Sequence, residues 1–328
     1  MIAIPDGMRQ SVVLRQRPSG MPERSNFEIV SDAIPAPEPG EVVTRVLYLS
    51  IDPYMRGRLS DRKSYATPVQ IGEVIDSADP RFGIGDIVVG ARGWQTHTVS
   101  KGSALTKITP GEAPLPAYLG VLGMPGVTAY TGMTDIGQTK AGETVLISAA
   151  SGAVGSVAGQ IAKRAGARVV GIAGGPDKCL FVQEHLGFDA CIDHQALSMD
   201  ADIADACPNG VDVYFENVGG AVQAAAFNAL NMFSRVIMCG MVAQYNEKEL
   251  PPGPNLGFVV AKRVKIQGLL VFDKPERFGE WRALAAPWVK DGSLRYRETI
   301  IDGLEQAPEA LAMVLGGENF GKMIVKVG

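Results

Sequence analysis

The chain has 328 residues, too many for a typical single core, and two domains are expected. Hydrophobic residues at 46% and charged residues at 20% give enough apolar mass for a sizeable core, and the 39 glycines and 21 prolines are scattered as turn-formers rather than clustered. A net charge of −4 with dispersed lysines and arginines excludes the concentrated basic stripe of a nucleic-acid surface, and no apolar run approaches the roughly 18 residues that span a bilayer.

Residues 1–7 lack a basic flank followed by an apolar run, so the expected location is cytoplasmic. The four cysteines, Cys179, Cys191, Cys207 and Cys239, form no C-x-x-C pair and stand beside no histidine at ligand spacing. They read as reduced, mostly buried thiols.

From the start to about residue 125 the local signals are strand-rich. Residues 12–15, 41–49, 86–89 and 96–99 carry β-branched or alternating patterns, separated by turn-formers such as Pro35-Ala36-Pro37-Glu38-Pro39-Gly40. From about Pro125 apolar strands alternate with helical stretches. Residues 144–149, 168–173, 190–193, 211–216, 235–239 and 265–269 are strand candidates, and 154–165, 177–186 and 221–231 are helices between them. Alternation of this kind predicts right-handed crossovers and a doubly wound parallel sheet. A further helix is expected over 275–290. The tail from 294 reads as a strand, a helix at 307–315 and a strand at 323–327, and is assigned back to the β-domain. The α/β fold thus divides into a discontinuous β-domain, 1–125 with 294–328, and a nucleotide-binding domain, 126–293.

The strand at 144–149 runs into Ala150-Ser151-Gly152-Ala153-Val154-Gly155, a G-x-G-x-x-G fingerprint with alanine first. The small first residue makes the turn, Gly152 lets backbone approach a pyrophosphate, and Gly155 lets the helix pack on the strand, with Gly159 continuing that contact. The amides and dipole of the following helix favour phosphate. The same scaffold also serves methyltransferases and non-catalytic sensors. An NAD enzyme places an acid at the tip of the second strand. Here Gly174-Gly175-Pro176-Asp177-Lys178 offers no acid at the tip and a lysine in the first helical turn, which suits a 2′-phosphate and predicts NADPH/NADP+. The alternative for Lys178 is a solvated helix residue.

His97, His185 and His194 are the only histidines, and residues 1–125 contain no cysteine, which excludes a thiolate–zinc site there. Hydride transfer then relies on cofactor placement and hydrogen-bond donors. That logic suits reduction of an α,β-unsaturated carbonyl, with hydride passing to the β-carbon and a neutral donor near the oxygen. Tyr54 and Tyr245, both in loops, are the candidate donors, and the alternative for each is a ring that only packs.

Several long motifs in order carry a resemblance that spans nearly the whole chain. They are Leu49-Ser50-Ile51-Asp52-Pro53-Tyr54-Met55-Arg56-Gly57-Arg58, Met124-Pro125-Gly126-Val127-Thr128-Ala129-Tyr130 and residues 149–156. Further on stand Glu216-Asn217-Val218-Gly219-Gly220, Cys239-Gly240-Met241 with Gln244-Tyr245-Asn246, and Asn319-Phe320-Gly321-Lys322. The chain resembles the zinc-independent medium-chain dehydrogenase/reductases, in the branch of leukotriene/prostaglandin, plant double-bond and curcumin reductases. The resemblance implies a GroES-like β-domain, a Rossmann domain and NADPH-dependent reduction of the C=C bond of enals and enones. It implies that Gly152, Ala153, Val154 and Gly155 lie along the pyrophosphate and that Lys178 meets the 2′-phosphate. Thr128, Gly174, Asn217, Cys239, Tyr245 and Asn319 line the cofactor, with Phe272 toward the nicotinamide and Tyr54 and Tyr245 bordering the substrate. It also implies a homodimer, with edge strands near 265–269 extending the sheet across subunits.

The sequence departs from the family at two places. His194 stands where a tyrosine is usual near the adenosine phosphate; it replaces that partner or is a surface histidine. Residues 71–77 fuse two strands that relatives separate by a glycine-rich turn, so about a hairpin of two to five turn residues and one short strand is missing. Two other functions fit the scaffold, a quinone reductase and a sensor that binds NADP(H) without turnover.

Overall fold

The computed structural model describes residues 7–59, 69–195 and 198–328. Most of the N-terminal stretch read for a signal lies outside the described residues, as does part of the segment between the Tyr54 motif and Gly85-Asp86. The chain divides into two compact units, one reaching to Gly120 and including Glu298–Gly328, the other Val121–Arg297.

The first unit begins with strands β1 (Met8–Leu14), β2 (Phe27–Ala33), β3 (Glu41–Ile51), β4 (Val69–Ser77), β5 (Ile87–Ala91), β6 (His97–Lys101) and β7 (Thr106–Lys107). The second unit contributes α1 (Met124–Thr131), β8 (Thr144–Ser148), α2 (Gly155–Arg164), β9 (Arg168–Ala173), α3 (Pro176–Glu184), β10 (Ala190–Asp193), α4 (Met199–Ala206), β11 (Val211–Glu216), α5 (Gly220–Asn228), β12 (Leu230–Met238), α6 (Gly257–Lys262), β13 (Lys265–Gly268) and α7 (Arg277–Lys290). The chain then returns to the first unit through β14 (Glu298–Asp302), α8 (Ala307–Leu315) and β15 (Lys322–Lys326).

In the first unit the main sheet has the order β14-β15-β3-β4-β5-β7, with β6 also on β3, while β1 and β2 form a separate antiparallel pair. The long β3 buries Val42, Val46, Leu49 and Ile51, which places it at the centre of that core. Val69–Ser77 is one continuous strand paired on both sides, with β3 and with β5, and Ile71 and Val74 are buried. The fused reading of residues 71–77 therefore describes one continuous strand, whose pairing with β3 shifts register twice. β2 was not anticipated, because five of its seven residues are exposed and no alternation marks it.

The second unit is a six-stranded sheet of order β10-β9-β8-β11-β12-β13, parallel throughout. β8 is buried along its whole length and β11 nearly so, which is why both read as apolar runs. The helix expected over 221–231 stops at Asn228, because Leu230 is buried and already pairs with Val211 as the first residue of β12. α4 carries Asp200, Asp202 and Asp205, and Ile203 is its one fully buried side chain, too thin a stripe for its period to show.

Candidate functional site at the carboxyl edge of the parallel sheet

Because all six strands run the same way, their carboxyl ends share one edge. Successive strands proceed outward from β8 through β9 to β10 on one side and from β11 through β12 to β13 on the other. The reversal falls between β8 and β11, and the crevice at such a switch point is where open α/β sheets bind ligands. The turn after β8, Gly174 after β9, His194 after β10, Asn217 after β11 and Cys239 after β12 all follow that edge.

The turn after β8 is tight. Its left-handed residue is Ala149 (φ +50), one position before the alanine assigned to the fingerprint's first place. An added Cβ at Gly155 would lie 2.4 Å from the Ala149 carbonyl oxygen, which no side chain tolerates. Gly155 therefore lets the start of α2 close onto the turn, as expected. Gly159 does something different. Its missing Cβ is occupied by the Phe188 ring, 1.9 Å from where that atom would sit, so it admits an aromatic side chain rather than the strand. The amides of Ser156, Val157 and Ala158 already donate to the carbonyls of Gly152 and Val154, so the backbone left to face phosphate at this helix start is that of Ala153, Val154 and Gly155.

At the tip of β9, Gly174 meets His194: a Cβ on Gly174 would lie 2.8 Å from the imidazole Nε2. The His194 amide donates to the Ala173 carbonyl at 2.9 Å, fixing the two strand ends together. Asp193 Oδ1 accepts from the amides of Gly175 and Gln195 at 2.8 and 3.0 Å, and these bonds lower the pKa of its carboxyl. Lys178 is half-buried in the first turn of α3. The structure thus sets His194 against Gly174 at the strand tip, with Lys178 in the first turn of the helix that follows and no acid on β9 itself. Asp193 is the acid that sequence reasoning missed; it stands on the neighbouring strand and is engaged by backbone.

At the switch point a hydrogen-bonded node joins three loops. Glu216 is 0% exposed, and its Oε1 accepts from Ser148 Oγ at 3.0 Å and from the amides of Val218 and Gly219 at 2.7 and 3.0 Å. The Asn217 amide donates to Ser148 Oγ and its Nδ2 to the Ser148 carbonyl, both within 2.8 Å. The Glu216 carbonyl in turn accepts the amides of Cys239 and Gly240. Asn217 and Cys239 are therefore brought together through Glu216 and Ser148. Burial pushes the Cys239 thiol up to about 12, helped by the Glu216 charge. Tyr245 reaches back to the same place, its hydroxyl accepting from the Met241 amide at 3.4 Å; burial raises its pKa. Thr128 lies on α1 with its hydroxyl donating to the Met124 carbonyl at 2.8 Å, and α1 packs on the Val271–Asp273 turn that carries the exposed Phe272.

The remaining candidates belong to the first unit. Tyr54 lies in the 3-10 turn Pro53–Arg58, its ring under the Arg58 guanidinium at 5.6 Å. Burial raises its pKa, and the Asp52 charge raises it further. Asp52 forms a buried ion pair with Lys322 Nζ at 3.0 Å, and the same ammonium donates to the carbonyls of Ile51 and Met323 at 2.6 and 2.9 Å. Asn319, three residues earlier, closes its own turn by donating to the Gly321 carbonyl. Lys322, the last residue of the Asn319-Phe320-Gly321-Lys322 motif, is 3% exposed and through Asp52 and the Ile51 carbonyl it anchors the segment leading to Tyr54.

Among the described residues, no three His, Cys, Asp or Glu side chains are grouped so as to hold a metal ion. What the described residues do assemble is a dinucleotide turn with hydrogen-bond donors around it. A small antiparallel unit paired with a doubly wound nucleotide-binding sheet defines the class of two-domain dehydrogenases and reductases.

Comparison with known proteins agrees. A family model described as the N-terminal domain of oxidoreductase matches residues 10–108, and one described as zinc-binding dehydrogenase matches residues 153–291. The chain is 46% identical over 332 residues to the NADPH-dependent curcumin reductase of Escherichia coli (strain K12), covering 96% of each. It is 39% identical over 328 residues to prostaglandin reductase 1 of Bos taurus, covering 97% of this chain and 98% of that one. The crystal structure of CurA from Vibrio vulnificus in complex with NADPH superposes with a TM-score of 0.91 at 43% identity, covering 97% of this chain and 99% of that one. The chain belongs to the zinc-independent branch of the medium-chain dehydrogenase/reductases, with the curcumin, prostaglandin and alkenal reductases.

Proposed function

We propose that this protein is an NADPH-dependent reductase of the C=C bond of enals and enones. The observation that carries this reading is the carboxyl edge of the parallel sheet, where a dinucleotide turn stands beside a strand tip that has no acid and has Lys178 instead. The names of the E. coli and bovine relatives support the reductase reading. The Vibrio complex supports the cofactor.

The bound cofactor would supply the hydride. Gly152, Ala153, Val154 and Gly155 present backbone to the pyrophosphate. Lys178, Gly174 and His194 receive the adenosine 2′-phosphate, with His194 in place of the tyrosine usual in the family. Asn217, Cys239, Asn319 and Thr128 line the cofactor and Phe272 stands toward its nicotinamide end. Tyr54 and Tyr245 border the substrate. Raised pKa values keep both phenols protonated at neutral pH, so each is a neutral donor toward a carbonyl oxygen that gains charge as the β-carbon accepts hydride. The protein is further proposed to be cytoplasmic and homodimeric, its β13 edge strand pairing with a second copy.

NADPH consumption measured against enals, enones, alcohols and quinones tests the proposal. Turnover confined to enals and enones is expected. Turnover with quinones alone would make it a quinone reductase, and binding without turnover a sensor. Tyr245→Phe is expected to lower kcat about tenfold or more with little change in NADPH affinity, and an unaltered kcat would leave Tyr245 structural.

A further inference from the structure

The Glu216 node holds a feature that loop-building alone does not require. A neutral glutamine oxygen could accept the same three bonds from Ser148 Oγ and the amides of Val218 and Gly219. The chain instead buries a carboxylate, and every bond recorded to it comes from a neutral donor. Its second oxygen, Oε2, is buried near the equally buried, neutral Tyr214 hydroxyl, and no cationic side chain is recorded against it among the described residues. A buried anion left without a cation is costly unless something else supplies positive charge.

The place of this anion is specific. It ends β11 at the switch point, directly beneath the loops carrying Asn217 and Cys239. Its field reaches its surroundings, because the Glu216 charge disfavours ionisation of both Cys239 and Tyr214. The loops it holds are among those proposed to line the cofactor, whose nicotinamide ring is neutral in NADPH and cationic in NADP+.

We infer that Glu216 is a positioning residue that sets the Asn217 and Cys239 loops and, through its uncompensated charge, biases the site toward the oxidised, cationic cofactor. This inference rests on the proposed NADPH binding. A negative charge near the ring stabilises the positive charge that develops as hydride leaves, so it favours hydride donation as well as NADP+ binding.

The test compares dissociation constants for NADPH and NADP+ by fluorescence titration in the wild type, Glu216→Gln and Ser148→Ala. Glu216→Gln keeps the hydrogen-bond acceptor and removes the charge. It is expected to weaken NADP+ binding about tenfold more than NADPH binding. Ser148→Ala loosens the node but keeps the charge, and is expected to weaken both forms by a similar factor. A Glu216→Gln protein with the wild-type ratio of the two constants would overturn the inference, because a purely structural residue shifts both equally. If Glu216→Gln fails to fold, as judged by circular dichroism, the uncharged Glu216→Met gives the same ratio test. A wild type that binds neither form sinks the cofactor proposal itself and is told apart from failure of the inference by that result alone.

Discussion

Lys178 is the residue on which the proposed cofactor choice turns. It sits half-buried in the first turn of α3, the helix that follows the β9 tip, and a phosphate there would receive a charge-assisted bond. Lys178→Ala is expected to raise the NADPH Michaelis constant about tenfold and to leave that for NADH nearly unchanged. Steady-state kinetics with both cofactors decides it, and an equal effect on the two would mean that the phosphate lies elsewhere. In the other unit Glu298 is a second informative residue. Burial raises its pKa from the ordinary 4.5 to about 7, while the Lys322 charge pulls it down. A raised native pKa means that the folded state holds a proton the unfolded state releases. The stability associated with the protonated form is complete below about 4.5 and is lost as pH rises through about 7, up to about 3 kcal/mol in all. Glu298→Gln is expected to remove most of that loss. Urea denaturation at pH 5 and pH 8 reads it directly: wild type and variant should diverge in their pH dependence, and parallel curves would show that Glu298 does not titrate in this range.

At the level of elements, the most constrained piece is the turn between β8 and α2. With 2.4 Å between a Gly155 Cβ and the Ala149 oxygen, Gly155→Ala must move backbone at both the turn and the helix start. A lowered Tm and an NADPH affinity reduced at least severalfold are expected, by analogy with other overpacked close approaches. A variant with wild-type Tm and affinity would show that the turn relaxes freely. This element was legible in the sequence because its chemistry is local: a buried strand, small residues at fixed spacing, then a helix. β8, β9 and β11 were legible for a related reason, since strands buried on both faces are written as apolar runs. The Ser148–Glu216 node was not legible. Its partners are 68 positions apart, and only the pairing of β8 with β11 makes them neighbours. The same holds for Asp52 and Lys322, which read as unrelated motif residues until β3 and β15 are laid side by side. Exposed β2 left no pattern, and Ala149 gave no sign that it, rather than Ala150, takes the left-handed conformation.

For the whole molecule the open question is how many copies make the working protein. β13 lies at the end of the parallel sheet with all four residues exposed, and Met232, Phe233 and Val260 on nearby elements are exposed apolar side chains. An edge of this kind is either covered or prone to pairing. The proposed homodimer predicts a solution mass near twice the 34.7 kDa of the chain, by light scattering at micromolar concentration. A mass of one chain would reject it. The sheet of the first unit carries a different consequence. Its strand β15, which follows the whole parallel sheet in sequence, lies between β14 and β3, and it brings the ammonium that pairs with Asp52. During synthesis the residues of the parallel sheet all leave the ribosome before Lys322 does. Until then the Tyr48–Ile51 end of β3 lacks the strand that pairs it, while Glu41–Arg45 already pairs with β6, and Asp52 lacks that ammonium. The unit that begins to be translated first is therefore completed after the parallel sheet, and a chain truncated before Lys322 would carry all six strands of that sheet and a Tyr54 segment without its ammonium.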